Sequence, residues 1–188
     1  AAHLFGTDWL GRDMLTRTVK GLRFSMIIGL LGSAIGVLVA VALGIIAAVG
    51  GKKADAVILW LIDMFIGMPH LVFLILISFA AGRGAKGIII GVALTHWPTL
   101  ARLVRNEVKA IQNFEYIKIS ESFGKSRCFI VKNHLLPAIL PQIMVGFLLL
   151  FPHAILHEAS MTFLGFGLSA EKPSVGIILS EAVKHISL

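Results

Sequence analysis

Cysteine is almost missing from this chain: Cys128 stands alone in 188 residues. An internal disulfide is therefore excluded, and a small core side chain is the ordinary role for such a residue, ahead of any redox one. Charge is scarce too. Asp, Glu, Lys and Arg fill 14% of positions, against roughly a quarter in a typical soluble domain. Hydrophobic residues fill 57%, which excludes an ordinary water-soluble globule. Acidic residues are the rarer sign, 10 against 17 basic ones, for a net charge of +7. In a soluble protein that excess would suggest nucleic acid, but many of the bases crowd into 102–132, beside apolar runs. The positive-inside rule accounts for them, and no nucleic-acid partner is expected. No basic, apolar and small-residue series opens the chain, so no cleavable signal peptide is visible. It starts on Ala-Ala-His and ends on Ile-Ser-Leu, and the expectation is a fragment of a longer protein.

Long apolar runs are what the chain has in plenty. Residues 24–51 carry no charge, and at about 1.5 Å per residue they outreach a hydrocarbon core of roughly 30 Å. That predicts a transmembrane helix. A second span is predicted over 57–81, interrupted by Asp63, Pro69 and His70. A third is predicted over 87–105, with Lys86 and Arg102 snorkelling outward. The fourth, over 135–160, carries Pro137, Pro141 and Pro152, which predict kinks. The fold class is all-α, a single polytopic transmembrane helix bundle over 1–188. The basic cluster places 106–134 in the cytoplasm, and alternation of spans puts 1–23 and 161–188 on the other side. Arg12, Arg17, Lys20 and Arg23 then lie outside, against the charge rule unless Asp8 and Asp13 or neighbouring protein hold them.

Gly29, Gly32, Gly36 and Gly44 recur along the first span, and small residues on one helical face let another helix approach. Asp63 and His70, seven residues apart, can share a face of the second span. Ionisable groups at that depth suggest a pathway or an interhelical hydrogen bond. Between the third and fourth spans, Val108, Ile111, Phe114, Ile117, Ser120 and Phe123 recur at three-residue steps, while Lys109, Lys118, Glu121 and Lys125 point elsewhere. This predicts a surface helix with one sticky stripe. Gly124 is expected to end it, with a second short helix through Phe129, Ile130 and Val131 leading to Pro137. Gly124-Lys125-Ser126 imitates the end of a phosphate-binding loop, but the glycine required five residues earlier is Ile119. The chain is thus not expected to bind nucleotide. His153 and His157, at i and i+4, can present two imidazoles to a metal. H-E-x-x-H is absent, so hydrolysis is not indicated, and hydrogen-bonding histidines with Glu158 as partner are the plainer reading. Met144, Phe147, Phe151, His153, His157 and Glu158 are the candidate path or gate residues, by span position.

The opening run from His3 through Gly6-Thr7-Asp8, Gly11-Arg12-Asp13 and Thr16-Arg17 resembles the H-P-x-G-T-D-x-x-G-R-D-x-x-S-R signature of permeases in the dipeptide, oligopeptide and nickel branch of binding-protein-dependent ABC importers. Gly21-Leu-Arg23-Phe-Ser25 is similar to the G-x-R-x-S that opens that family's next span. Glu158-Ala-Ser-Met-Thr-Phe163-Leu164-Gly165-Phe-Gly167 resembles its E-A-x-L-S-F-L-G-x-G, and Pro173-Ser174-Val-Gly176 its P-S-x-G. The resemblance implies a type I importer permease of six spans, of which four are visible here. It also implies that 116–137 is the coupling segment called the EAA loop, E-A-A-x3-G-x9-I-x-L-P. Gly124, Leu136 and Pro137 fit that pattern, whereas Lys118, Ile119 and Ser120 replace Glu-Ala-Ala and His134 replaces Ile.

From this resemblance follow the expected partners: a second homologous permease subunit, two ABC ATPase subunits that bind ATP and Mg, an extracytoplasmic substrate-binding protein, and the bilayer of a prokaryotic inner membrane. The chain itself is expected to be a transport subunit, not an enzyme, with no cofactor of its own. Phe114, Tyr116, Ile117, Ser120, Glu121 and Phe123 would fill the ATPase groove, with Gly124 and Pro137 setting the bends. The cargo would be a di- or oligopeptide, or nickel or a metal chelate if the His153/His157 pair lies in the path. The rival reading is an ion-coupled secondary transporter drawing on Asp63 and the histidines.

Overall fold

A computed structural model describes residues 3–169 and 173–185. Residues 1–2, 170–172 and 186–188, parts of the two segments expected outside the membrane, lie outside the described residues. Helix dominates: α1 (Met14–Val49), α2 (Gly51–Ile66), α3 (His70–Ala80), α4 (Ala85–Ile111), α5 (Glu115–Ser122), α6 (Arg127–Ile130), a π-helical turn (Val131–Leu135), α7 (Leu136–Phe163) and α8 (Val175–His185). No named strand occurs among the described residues. By length and composition α1, α4 and the continuous run Arg127–Phe163 can cross a membrane, and α2 with α3 supply a fourth crossing if that broken pair is one span.

The helix boundaries follow local chemistry. α1 begins ten residues ahead of the charge-free run because Asp13 starts it, its carboxylate accepting from the Thr16 N–H at 2.8 Å. The expected span over 57–81 is two helices, broken at Gly67-Met68-Pro69. Pro69 has no N–H to give and drives Met68 out of the α region. Asp63 and His70 therefore do not share one helical face. One backbone disturbance lies just ahead of α7, beside Pro137. Pro137 cannot donate to the carbonyl one turn back, and the backbone widens over Val131–Leu135, where the Leu136 N–H reaches the Val131 carbonyl. Beyond that turn α7 continues helical past Pro141 and Pro152.

The chain divides into two compact units. The first comprises residues up to 33, 71–92 and 151 onward. Its core gathers Ile28, Leu74, Ile88, Val92, Ala154 and Met161. The second comprises 34–70 and 93–150, with a core through Val37, Ile58, Ile62, Trp97, Val104, Val108, Ile117, Ile130 and Leu135. Close helix approach is visible within it at Gly44, where an added Cβ would stand 2.7 Å from the Ala101 carbonyl oxygen. Large apolar side chains such as Leu38, Trp60, Leu76, Leu148 and Leu156 point outward. In water such exposure would be a liability; for membrane helices it is the lipid- or partner-facing surface. Cys128 is exposed, contrary to the core role expected for it.

Candidate functional site

The segment from the end of α4 to Pro137 lies wholly within the second unit. Phe114 is extended (φ −69°, ψ 145°) and ends the short connection from α4, so that α5 opens on Glu115 with its acid in the first turn, the end of a helix that favours negative charge. Ile117 is fully buried in the core with Val108, Ile111, Ile130 and Leu135. The rest of the helix stays outside on that single anchor, and Phe114, Tyr116, Ile119 and Phe123 are exposed, Phe123 at 79%.

α5 stops where Gly124 adopts φ +72°. The Gly124 N–H donates to the Glu121 carbonyl at 2.9 Å and the Lys125 N–H to the Ser120 carbonyl at 3.3 Å, the paired bonds of a Schellman stop. Ser126 then caps α6, its hydroxyl accepting from the Phe129 N–H at 3.3 Å. Gly124-Lys125-Ser126 is thus a helix stop followed by a helix start. In the π turn, His134 Nε2 lies 3.3 Å from Ser120 Oγ. Its ring meets those of Tyr116 and Phe129 edge-on, with centroids 5.8 and 5.9 Å away.

Of the expected coupling residues, Phe114, Tyr116, Glu121, Phe123, Gly124 and Pro137 are exposed, and Ser120 is half-buried. Ile117 is the correction: as a core residue it holds the helix and is not available to fill a groove. Ile119 was missed. A three-residue repeat drifts around a 3.6-residue helix, so the stripe read from sequence slides from the buried side to the exposed one.

Also missed was an ion cluster in the same unit. Asp55, near the start of α2, accepts two bonds from the Arg105 guanidinium, the Nη2 one at 2.7 Å, and another from Lys109 Nζ. No single-sequence pattern pairs positions 50 residues apart. Asp63 is exposed and pairs with Arg102 of α4. His70 and His96 stack edge-on with centroids 4.8 Å apart, and the Thr95 hydroxyl lies 3.1 Å from His96 Nδ1.

The path candidates are spread around α7. Met144 and His153 are exposed, Phe147, Phe151 and His157 are half-buried, and Glu158 is buried. The His153 and His157 rings are 6.0 Å apart. Glu158 accepts from the Thr162 hydroxyl at 2.9 Å, one turn on, in place of the expected histidine partner.

The opening signature builds an ionic hook in the first unit. Asp8 accepts from the backbone N–H groups of Leu10 and Arg12, from Arg12 Nε at 2.7 Å and from Arg17 Nη1 at 3.0 Å. Arg17, 6% exposed, also grips Glu181 of α8 with two bonds, the Nη2 one at 2.8 Å. Arg12 and Arg17, the two bases of that segment nearest Asp8, are therefore neutralised locally. Burial pushes the Asp8 carboxyl up, but the bonds from Arg12 and Leu10 outweigh it and leave it below its ordinary value. Bonds from Thr16 do the same to Asp13, and the Arg17 bonds to Glu181.

Residues 40–183 match the family described as the binding-protein-dependent transport system inner membrane component. The chain belongs to that family. With its apolar helices it is a multi-pass inner-membrane protein. It is 36% identical over 186 residues to the dipeptide transport system permease protein DppC of Bacillus subtilis (strain 168), covering 99% of this chain and 58% of that one. It is 33% identical over 185 residues to the oligopeptide transport system permease protein OppC of the same organism, covering 98% and 61%. To the glutathione transport system permease protein GsiD of Pectobacterium atrosepticum it is 31% identical over 182 residues, covering 97% and 60%. The chain thus spans about 60% of the length of these relatives. Among solved structures, a chain of the MetNI methionine ABC transporter in its inward-facing conformations superposes with a TM-score of 0.70 over 90% of each chain, at 17% identity. That likeness establishes the fold, a polytopic helix bundle. The ion-coupled reading is not supported: the family is binding-protein-dependent, and Asp63 is paired with Arg102 on a helix separate from that of His70.

Proposed function

We propose that this chain is a permease subunit of an ATP-driven importer of short peptides, coupled to ATPase subunits through residues 114–137. The observation that carries the reading is a helix held by one buried residue, Ile117, that turns Phe114, Tyr116, Ile119 and Phe123 outward in a chain of this family. Exposed aromatic anchors around a rigid stop are what a partner's groove grips. ATP and Mg would be bound by two ATPase subunits. A second homologous permease would complete the path, and an extracytoplasmic binding protein would deliver the cargo. Closure of the ATPases on ATP would bias the spans between inward- and outward-facing states, the nucleotide supplying the differential binding energy.

Peptide is the favoured cargo because the relatives quoted above carry dipeptide, oligopeptide and glutathione in their names. The metal reading rests on His153 and His157 alone. Both readings are tested in cells carrying the whole system. Gly124→Val forces a β-branched residue into φ +72° and is expected to abolish ATP-driven uptake of a labelled dipeptide while the protein still inserts in the membrane. Full uptake by that variant would overturn the coupling assignment. Uptake of labelled nickel that is lost when both histidines become alanine would restore the metal reading.

A further inference from the structure

Asp55 lies near the start of α2, just past the α1–α2 turn at Gly50 and Gly51, where Gly51 adopts φ +86°. Its carboxylate takes the Arg105 guanidinium in a two-bond fork and the Lys109 ammonium besides. Asp55 and Arg105 are each 17% exposed, so the pair is largely shielded from water and is strengthened accordingly. Both cations belong to the last turns of α4, whose end, Ile111, is buried in the same core as Ile117. Only residues 112–114 separate α4 from α5. α6 is tied to the same turn from the other side, since Arg127 Nη1 donates to the Val49 carbonyl at 3.5 Å. The two arms of the coupling segment thus converge on one short stretch at the α1–α2 junction.

We infer that Asp55 is a positioning residue for coupling: it passes displacement of α5, through the end of α4, to α2. The inference rests on the ATP-coupled reading above. A rigid fork moves as one body, whereas a neutral amide in its place leaves two cations without a counter-charge and the α2–α4 register loose. Asp55 touches neither nucleotide nor cargo in this role. Its loss should therefore separate two activities that a folding defect would lower together.

The test uses the complete transporter in proteoliposomes, with its ATPases, the second permease and the binding protein, and counts labelled dipeptide imported per ATP hydrolysed. Asp55→Asn is expected to keep ATP hydrolysis near wild type and to lower that ratio roughly tenfold, and Asp55→Glu to restore it. Lys109→Met, which leaves the Asp55–Arg105 fork intact, should give a smaller fall, and it carries the test if Asp55→Asn does not assemble. A wild-type ratio in these variants, or a parallel fall of hydrolysis and import, overturns the role of Asp55 and leaves the importer reading standing. Failure of the wild-type complex to import any dipeptide on ATP would instead overturn the importer reading, and this inference with it.

Discussion

At the scale of single residues, the informative positions are those where this chain departs from the coupling pattern it resembles. Ser120 and His134 are two such departures, and they meet each other at 3.3 Å. A lone histidine in place of an apolar residue beside a helix would need a partner, and Ser120 supplies the hydroxyl. The pair is half-buried between Tyr116 and Phe129, so its bond is worth about 1 kcal/mol net, and removing one partner exposes the desolvation cost of the other. Ser120→Ala should lower the thermal stability of the purified protein by about that amount. His134→Leu alone should cost a comparable amount, because Ser120 is then stranded. The Ser120→Ala, His134→Leu double variant should lose less than the sum of the two, by an interaction energy on the order of 1 kcal/mol. Strict additivity of the three melting curves would show that the contact contributes nothing.

At the scale of elements, the opening hook and α8 are joined by charge. Glu181 is held below its ordinary value of 4.5 by its hydrogen bonds from Arg17. A carboxylate with a depressed folded value stabilises the protein fully above its unfolded value and loses that contribution as pH falls through the folded one. Thermal stability is thus expected to stay level on acidification to the ordinary value of 4.5 and to decline below it, more steeply in wild type than in Glu181→Gln. Identical acid limbs would detach the Arg17–Glu181 contact from stability. That junction joins positions 164 residues apart, and nothing in the spacing of either segment announced it. Elements with one-dimensional causes were legible: the charge-free stretch of α1, the short surface helix after α4, and its stop at Gly124. The break at Pro69 was misread because a proline in an apolar run can be tolerated within a span, and only the fold shows α3 starting afresh at His70. Ile117 was misassigned for a related reason. An apolar stripe tells which residues share a face, but in a membrane protein with apolar surfaces on both sides it does not tell which face is the inside.

At the scale of the whole molecule, α2 and α3 together either cross the bilayer or dip in and return. Length and composition allow three spans or four. By the positive-inside rule the basic residues of 102–132 favour the cytoplasmic face for that segment, and the local neutralisation of Arg12 and Arg17 by Asp8 and Glu181 removes much of the conflict on the other side. If the broken pair is one crossing, the α1–α2 turn at Lys52 lies on the same face as Cys128; if it is re-entrant, α4 is the one crossing between them and the two lie on opposite faces. The chain supplies its own probe, since Cys128 is its lone cysteine and is exposed. A membrane-impermeant maleimide should label the wild-type protein in inside-out vesicles and spare it in right-side-out ones. Lys52→Cys in a Cys128→Ala background should show the same pattern, since Lys52 is exposed and Arg127 reaches the Val49 carbonyl beside that turn. Labelling of the two proteins from opposite sides would make the pair a re-entrant loop, and labelling of Cys128 only from outside would invert the orientation on which the coupling assignment depends.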